Sequence, residues 1–343
     1  MAKATWLRVL DEMRELEQNQ AQNPPPLGAE TAADKYRRSK ITKVEGITKR
    51  PLMVYATACT TPGKNVSAEL IMLDFSDKIA FKTVTDNIPA PNLDILIHSP
   101  GGYADAAETL VQQLRAKYTN IRFIVPSFAK SAATMLVMSG NEILMDQDAE
   151  LGPIDPQMRT PNGTSPAEAI LEQFKKAQAE LQADATKLPS WMPILAPLGP
   201  SLIVDCEHAI DLAKTLVESW TMTYMLAGDA EAKTKSSQIS KYLGKHTQFK
   251  SHGRPIKIPD LIPIGVKAKN IRDDPDLYKA IDELYCCLDI LLTNSPVYKI
   301  VENGAGDALI RQSGMFQGPI IQMQAHPGLP PGFPPQMPPV KRV

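Results

Sequence analysis

Short apolar runs alternate with helix-like segments in the first half of the chain, and this alternation constrains the fold more than any other feature of the sequence. The strand-like runs are Leu52–Thr57, Ala68–Leu73, Leu93–His98, Ile121–Val125 and Glu142–Met145. After the third run, apolar residues recur at helical spacing, at Ala107, Leu110, Val111 and Leu114. Strands that alternate with helices predict parallel βαβ units and therefore an α/β fold.

The second half of the chain is expected to be mainly helical. Ser165 and Pro166 are typical of a helix start, and that helix is expected to continue to about Ala185. The prolines between Pro189 and Pro200 are then expected to break it. Further helices are predicted over about 202–227, 236–243 and 276–292.

Three regions are predicted along the chain: an N-terminal helical arm and linker (1–34), an α/β domain (35–300) and a C-terminal segment (301–343). The arm, with a helix over Thr5–Gln20, either docks a partner or packs on its own domain. The C-terminal segment is rich in proline from about Gly318 onward. This composition predicts a disordered or polyproline II tail that is either solvated or bound by a partner.

Bulk composition excludes several classes of function. A net charge of −1 and only 6% aromatic residues argue against nucleic-acid binding. No apolar run approaches the roughly 20 residues of a membrane span, and the charged N-terminus is unlike a secretory signal. Four cysteines without CxxC spacing predict neither a disulfide framework nor a zinc site. We therefore expect a soluble, cytoplasmic protein that needs no metal or other cofactor.

Two turns that follow predicted strands carry candidate chemistry. The first contains Gly101 and Gly102, whose backbone amides can approach a ligand closely and suit an oxyanion, although glycines in such turns are often purely structural. The second contains Ser131 at the start of a predicted helix, where the helix dipole favours a nucleophilic serine. An ordinary N-cap serine is the alternative interpretation of Ser131.

A third candidate is the loop that follows the next strand, which contains two prolines and Asp155. An aspartate before a proline is also a common turn residue, so its position alone does not assign a role. Loops at the carboxyl ends of parallel strands meet at one edge of the sheet. We therefore expect the glycine turn and the Ser131 turn to lie together at that edge.

In this order, the stretches LDILIHSPGG, VPSFAKSAATML and ELGPIDPQ resemble the serine dehydrogenase proteinase family, which is related to signal peptide peptidase A and to the proteolytic subunit of Clp. The resemblance is strongest over about residues 90–160, and the segment from Ser251 to Val266 is similar to a late pattern of the family. It implies a Clp/crotonase-type spiral of βαβ units with a helical C-terminal part, a serine nucleophile and a homo-oligomer.

Matched to the motifs of this family, Ser131 is the nucleophile. The backbone amides of the oxyanion hole then come from Gly101, Gly102 and Ala132. The resemblance implies a serine peptidase, a hydrolase that acts on a peptide or protein through an acyl-enzyme. Two alternatives remain open: a crotonase-like acyl-CoA enzyme, and a scaffold with a degenerate site that recruits partners.

The general base is left open by the sequence. Where Clp peptidases carry a histidine this chain has Asp155, and signal peptide peptidases use a downstream lysine, for which Lys187 lies in about the right stretch. His252 is ranked first because an imidazole needs the least tuning for base work at neutral pH, with Asp155 as its orienting partner. His98 is expected to be structural, and no motif surrounds His208, His246 or His326.

Overall fold

A seven-stranded sheet forms the centre of the protein. The structure, a computed structural model, describes residues 4–22, 24, 30–61, 64, 66–161 and 163–313. The strands are β1 (Leu52–Thr57), β2 (Asn92–His98), β3 (Asn120–Val125), β4 (Phe128–Ala129), β5 (Glu142–Met145), β6 (Glu150–Leu151), β7 (Gln157–Thr160), β8 (Gly163–Pro166), β9 (Ala268–Asn270), β10 (Val297–Asn303) and β11 (Ala308–Gln312). The helices are α1 (Thr5–Gln22), α2 (Ala32–Thr48), α3 (Ala68–Ile71), α4 (Asp77–Thr85), α5 (Ala104–Arg115), α6 (Ala132–Met138), α7 (Ala167–Ala183), α8 (Leu188–Leu195), α9 (Leu202–Trp220), α10 (Ala232–Gly244), α11 (His246–Phe249), α12 (Ile258–Leu261) and α13 (Pro275–Asn294).

The strand order of the main sheet is β11-β10-β1-β2-β3-β5-β9. The five strands from β1 to β9 in this order are parallel, and β10 and β11 extend the sheet antiparallel beyond β1. Because the parallel strands advance in one direction, crossovers of constant hand place their connecting helices on one face of the sheet. The prediction of an α/β fold with parallel βαβ units is confirmed.

Side chains that alternate along each strand separate two apolar cores. In β2, Ile95 and Ile97 belong to the core that also contains residues of α4, α5 and α6, whereas Leu96 belongs to the core beneath α2 and α13. A strand buried on both faces needs apolar residues at every position. This requirement explains why β1 is apolar over residues 52–56, and why β2 and β3 are apolar over residues 95–97 and 123–125, beyond the charged Asp94 and Arg122.

Several predicted elements differ from the observed ones. The segment Ala68–Leu73 is not a strand: it forms α3, and only Leu73 is fully buried, as an isolated bridge to Gly102. The prolines from Pro189 onward were expected only to end a helix, but a further helix, α8, begins there. Pro189 lies in the first turn of α8, where a backbone N–H has no partner within the helix and its absence costs nothing. Ser165 lies in β8 rather than capping α7, which begins at Ala167.

The predicted boundaries at residues 34 and 300 do not separate independent units. The described residues up to Ser313 form one compact unit, and β10 runs across the boundary predicted at residue 300. Within the predicted arm, α1 packs its buried face on α13. The proline-rich tail lies outside the described residues. In the part of the chain that the structure describes, no helix has the length and apolar character that crossing a membrane requires.

A buried ion pair ties α2 to β10. The Arg37 guanidinium donates to both carboxylate oxygens of Glu302, at 2.5 and 2.9 Å, and neither side chain is exposed. Each charge has lost its water and depends mainly on the other for compensation, although the Asp34 carboxylate also lies 2.9 Å from Arg37 and Arg38 Nε lies 3.8 Å from Glu302.

Removing one partner of this pair is therefore predicted to cost more than removing both. Arg37→Met should lower the free energy of unfolding by about 3–5 kcal/mol, because the buried Glu302 carboxylate then loses both hydrogen bonds to Arg37 and keeps only the longer contact with Arg38 Nε, at 3.8 Å. Arg37→Met/Glu302→Leu should recover most of that loss, as measured by urea denaturation. A double variant as unstable as the single one would contradict this account.

Candidate active site

Backbone pairing brings the turn after β2 against the turn after β3. The Ser99 amide donates to the Phe128 carbonyl at 3.2 Å, and the Lys130 amide donates to the Ser99 carbonyl at 3.0 Å. β6 pairs with β4, so the loop that follows β6 reaches the same edge. The glycine turn and the Ser131 turn therefore lie together, where the sequence placed them.

Ser131 has an unusual backbone conformation. Its φ of 52° and ψ of −124° lie in a region that residues with a side chain rarely adopt, and α6 begins at the next residue. Such a conformation costs of order 1–3 kcal/mol and is found mainly at functional sites. The hydroxyl makes no capping hydrogen bond to the helix, so Ser131 is not an ordinary N-cap serine.

Gly101 touches the Ser131 turn and has no room for a side chain. Its φ is 92°, and a Cβ built on it would lie 2.7 Å from Ser131 Cβ and 3.0 Å from the Ala132 nitrogen. Only glycine combines this φ with so close an approach. The backbone of the glycine turn is therefore in direct contact with the start of α6.

The amides at this contact are oriented by their neighbours. The Gly101 carbonyl accepts a hydrogen bond from the Leu73 amide at 2.8 Å. In a trans peptide the N–H points opposite to the C=O, so the Gly102 amide points away from Leu73. Among the described residues, neither the Gly102 amide nor the Ala132 amide has a hydrogen-bond acceptor.

A cavity of about 280 Å³ opens beside Ser131. Its wall is largely apolar and comes from α5, α6, α9 and the loop leading into β7; the lining includes Met135, Ile154, Pro156, Met158, Ala209, Leu212 and Ala213. Asp105, which is exposed, is the one residue with a charged side chain among the described residues of the lining.

Asp155 lies between two residues of the cavity wall, Ile154 and Pro156, but its buried side chain turns toward two histidines. His252 Nδ1 is 2.7 Å from Asp155 Oδ1, and His246 Nδ1 is 3.0 Å from Oδ2. An ionised carboxylate can only accept, so both Nδ1 atoms carry hydrogen when the rings are neutral. Each Nε2 then keeps a lone pair that can take a proton.

His246 is the site residue that the sequence did not reveal. It begins α11, and His252 follows in the turn beyond that helix. Only the folding of this segment against the Asp155 loop brings the two rings to one carboxylate. The His252–Asp155 contact, by contrast, is the one that the sequence ranked first.

Neither Lys187 nor Lys130 is placed to act as the general base. Lys187 ends a 3-10 turn, its side chain is about half exposed, and its ammonium is 3.8 Å from Glu180. Among the described residues that line the Ser131 cavity there is no lysine. The Lys130 ammonium, directly before Ser131, is bound by Glu150 and by the Leu151 carbonyl.

His98 lies inside the protein beneath the glycine turn. It is 1% exposed, its ring packs on Phe128 and Tyr285, and its Nε2 is 3.2 Å from Thr60 Oγ1. Burial lowers the pKa of His98 to about 4, so the ring is neutral at physiological pH. This environment fits the structural role expected for it.

Comparison with known proteins identifies the family of the chain. Residues 68–287 match the profile of the ClpP-like SDH-type serine proteinases. The chain is also similar to two uncharacterized proteins of Methanocaldococcus jannaschii, with 28% identity over 195 residues and 27% identity over 201 residues. These matches cover 56% and 58% of the chain but only 58% and 59% of the relatives, so the chain spans somewhat more than half of their length. Because the profile match extends over well above half of its residues, the chain belongs to the ClpP-like SDH-type serine proteinase family.

Proposed function

We propose that this protein is a peptidase that cleaves peptide bonds through an acyl-enzyme on Ser131. One observation carries the proposal: the strained Ser131 lies against the glycine turn, beside two backbone amides that have no acceptor among the described residues. Unpaired amides next to a nucleophile are the arrangement that an oxyanion requires. Membership of the serine proteinase family supports the same reaction class.

In the proposed reaction, Ser131 Oγ attacks the carbonyl carbon of the scissile peptide bond. The amides of Gly102 and Ala132 stabilise the negative charge that develops on the carbonyl oxygen. The backbone of Gly101 lies against the start of α6 and supports these two amides. The general base takes the Oγ proton as the attack proceeds and gives it to the nitrogen of the amine as the C–N bond breaks. The base then takes a proton from the water that attacks the serine ester and returns it to Oγ as the acid product leaves. Each step uses only side chains and amides of this chain.

We assign the general base to His252, with Asp155 as the residue that orients it. His252 makes the shorter contact with Asp155, and its side chain is 28% exposed against 15% for His246, so its ring is the more accessible of the two. Lys187 is the weaker candidate, because its ammonium is half exposed and paired with Glu180. A lysine needs burial to act as a base at neutral pH.

The arrangement of the βαβ units, the oligomeric state and the cellular location are part of the same proposal. We infer a Clp/crotonase-type arrangement of the βαβ units, a homo-oligomer and a cytoplasmic location. An acyl-CoA substrate and a catalytically dead scaffold are the competing functions, and the first experiment below separates both from the peptidase.

A fluorophosphonate probe should label the native protein on Ser131, because an activated serine beside an oxyanion hole displaces the fluoride of the probe and becomes phosphonylated. Ser131→Ala should not be labelled, and the site is read by peptide mass spectrometry. Labelling that persists in Ser131→Ala would assign the nucleophile elsewhere. A wild-type protein that binds no probe in its native oligomer would favour the scaffold.

The same assay identifies the base. His252→Ala should slow labelling by about 10²–10⁴-fold, the usual contribution of a general base. Lys187→Ala serves as the control and should react like wild type. If His246→Ala is slowed as much as His252→Ala is expected to be, and His252→Ala is not, the two histidines exchange roles.

The cavity beside Ser131 points to the class of side chain that the enzyme accepts. A nearly uncharged, apolar wall favours peptides that place an apolar side chain next to the scissile bond. A charged side chain would lose its hydration there without gaining a partner.

Filling this cavity should therefore change selectivity. Ala209 lines the cavity and is only partly buried, so Ala209→Phe can be accommodated by the fold. It should lower kcat/KM for peptides with leucine at the cleavage site by about tenfold or more, and change alanine peptides much less. His208→Phe adds the same ring to the exposed neighbouring position and should leave the ratio unchanged. Equal losses for both peptides would show that the cavity does not hold this side chain.

A further inference from the structure

The position of the Gly102 amide is set by the backbone of Leu73. Leu73 donates to the Gly101 carbonyl at 2.8 Å and accepts from the Tyr103 amide at 3.0 Å. A Cβ on Gly102 would lie 2.6 Å from the Leu73 nitrogen, so the two backbones are in contact. Any shift of Leu73 is therefore passed directly to the amide that faces the proposed oxyanion.

The two peptide groups beside Leu73 are held in turn by buried charges. The Met72 carbonyl accepts from Lys299 Nζ at 2.7 Å, and the Asp74 amide donates to Asp77 Oδ2 at 3.1 Å. Leu73 has no regular strand or helix of its own to fix it, because α3 ends at Ile71 and α4 begins at Asp77.

Lys299 and Asp77 form a buried ion pair with a third partner. Lys299 Nζ is 2.9 and 3.0 Å from the two Asp77 oxygens, and the Tyr55 hydroxyl donates to Oδ2 at 2.9 Å. The Lys299 side chain is 1% exposed and the Asp77 side chain is not exposed at all. The pair connects β10 and β1, which are rigid strands of the sheet, to the start of α4.

Stability alone is a weak reason for such a pair. Taking both charges out of water costs about as much as their attraction returns, and apolar replacements of similar volume are often neutral or stabilising. Burial lowers the pKa of Lys299, and the Asp77 carboxylate opposes that shift. What apolar side chains could not provide is the pair of directed hydrogen bonds to Met72 and Asp74.

We infer that the buried Lys299–Asp77 pair is a positioning device, which holds the segment from Met72 to Asp74 so that Leu73 keeps the Gly102 amide aimed at the reacting carbonyl. Neither side chain touches substrate. The inference rests on the proposed function, since it concerns the oxyanion hole of that reaction.

The test removes the pair without leaving a buried charge. Tyr55→Phe/Asp77→Leu/Lys299→Met eliminates all three polar side chains, and Asp77→Asn is a milder variant that keeps shape and one acceptor. The matched control is Arg37→Met/Glu302→Leu, which removes an equally buried ion pair from the same strand, β10, without a contact to Met72 or Asp74. Each variant is compared with wild type for thermal melting, fluorophosphonate inactivation kinetics and amide hydrogen exchange.

The triple variant should show an inactivation rate constant lower by about tenfold or more at an unchanged probe-binding constant, because a displaced amide harms the reaction rather than the binding. Asp77→Asn should lie between it and wild type. Exchange should accelerate in peptides that cover residues 72–74 and 101–103. The control should keep the wild-type rate constant and exchange in those peptides.

Two outcomes in the triple variant would overturn the inference: exchange in those peptides that stays at the wild-type level, or faster exchange with an unchanged inactivation rate constant. Equal slowing in the control would reduce the effect to general destabilisation and overturn it as well. If the triple variant does not fold, Asp77→Asn decides by the same criteria. A wild-type protein that resists the probe would instead refute the proposed peptidase, and hydrogen exchange would still show whether the pair holds the loop.

Discussion

The candidate site depends on the pairing of two turns through the backbone of one residue. Ser99 donates to Phe128 and accepts from Lys130, and this short ladder is what sets the glycine turn against Ser131. Without it, the ends of β2 and β3 would lie about one strand spacing, some 5 Å, apart, with their loops free to diverge. Backbone hydrogen bonds do not depend on side-chain identity, so this part of the site is secured by geometry that many sequences can form. The same pairing explains why Gly101 must be glycine, since the two turns approach until a Cβ would collide with Ser131 Cβ.

Asp155 presents a different physical problem, because its carboxylate is almost fully removed from water. A buried carboxylate needs its lone pairs occupied, and here two imidazoles and the Gln157 amide share the two oxygens. Both rings are therefore oriented by the same carboxylate, His252 through Oδ1 and His246 through Oδ2. In the proposed reaction, His252 accepts the proton of Ser131 while His246 helps to hold the shared carboxylate in place.

The sequence was sufficient for the parts of the fold that local pattern determines. Continuous apolar runs identified β1, β2, β3 and β5, and the turns behind them identified Gly101 and Ser131, because a parallel strand and its following loop are specified within a few residues. It failed at Ala68–Leu73, where an apolar segment becomes a short helix and one bridging residue. It also failed at His246, because no local signal records which residues a distant loop will approach. Buried polar pairs such as Lys299 with Asp77 were likewise beyond reach, since their partners are far apart in the chain. The sequence did not predict these contacts because their partners are distant in the chain. The residues that support the site, such as His246 and Lys299, are held mainly by contacts of this kind.

The long connection between β5 and β9 joins the site by extending the same ladder. Leu151 in β6 pairs with β4 on one side, and on the other it exchanges two hydrogen bonds with Ile256, at 2.9 and 3.0 Å. The Ile154 amide also donates to the Leu243 carbonyl at 2.9 Å. These bonds clamp the segment that carries both histidines onto the loop that carries Asp155. Four segments that are distant in sequence therefore form one continuous set of backbone pairs, from Ser99 through β4 and β6 to Ile256. These backbone pairs join the Ser131 turn, the glycine turn and the segment of the two histidines, whereas α8, in the connection between them, exposes the apolar side chains of Leu188, Met192 and Ile194.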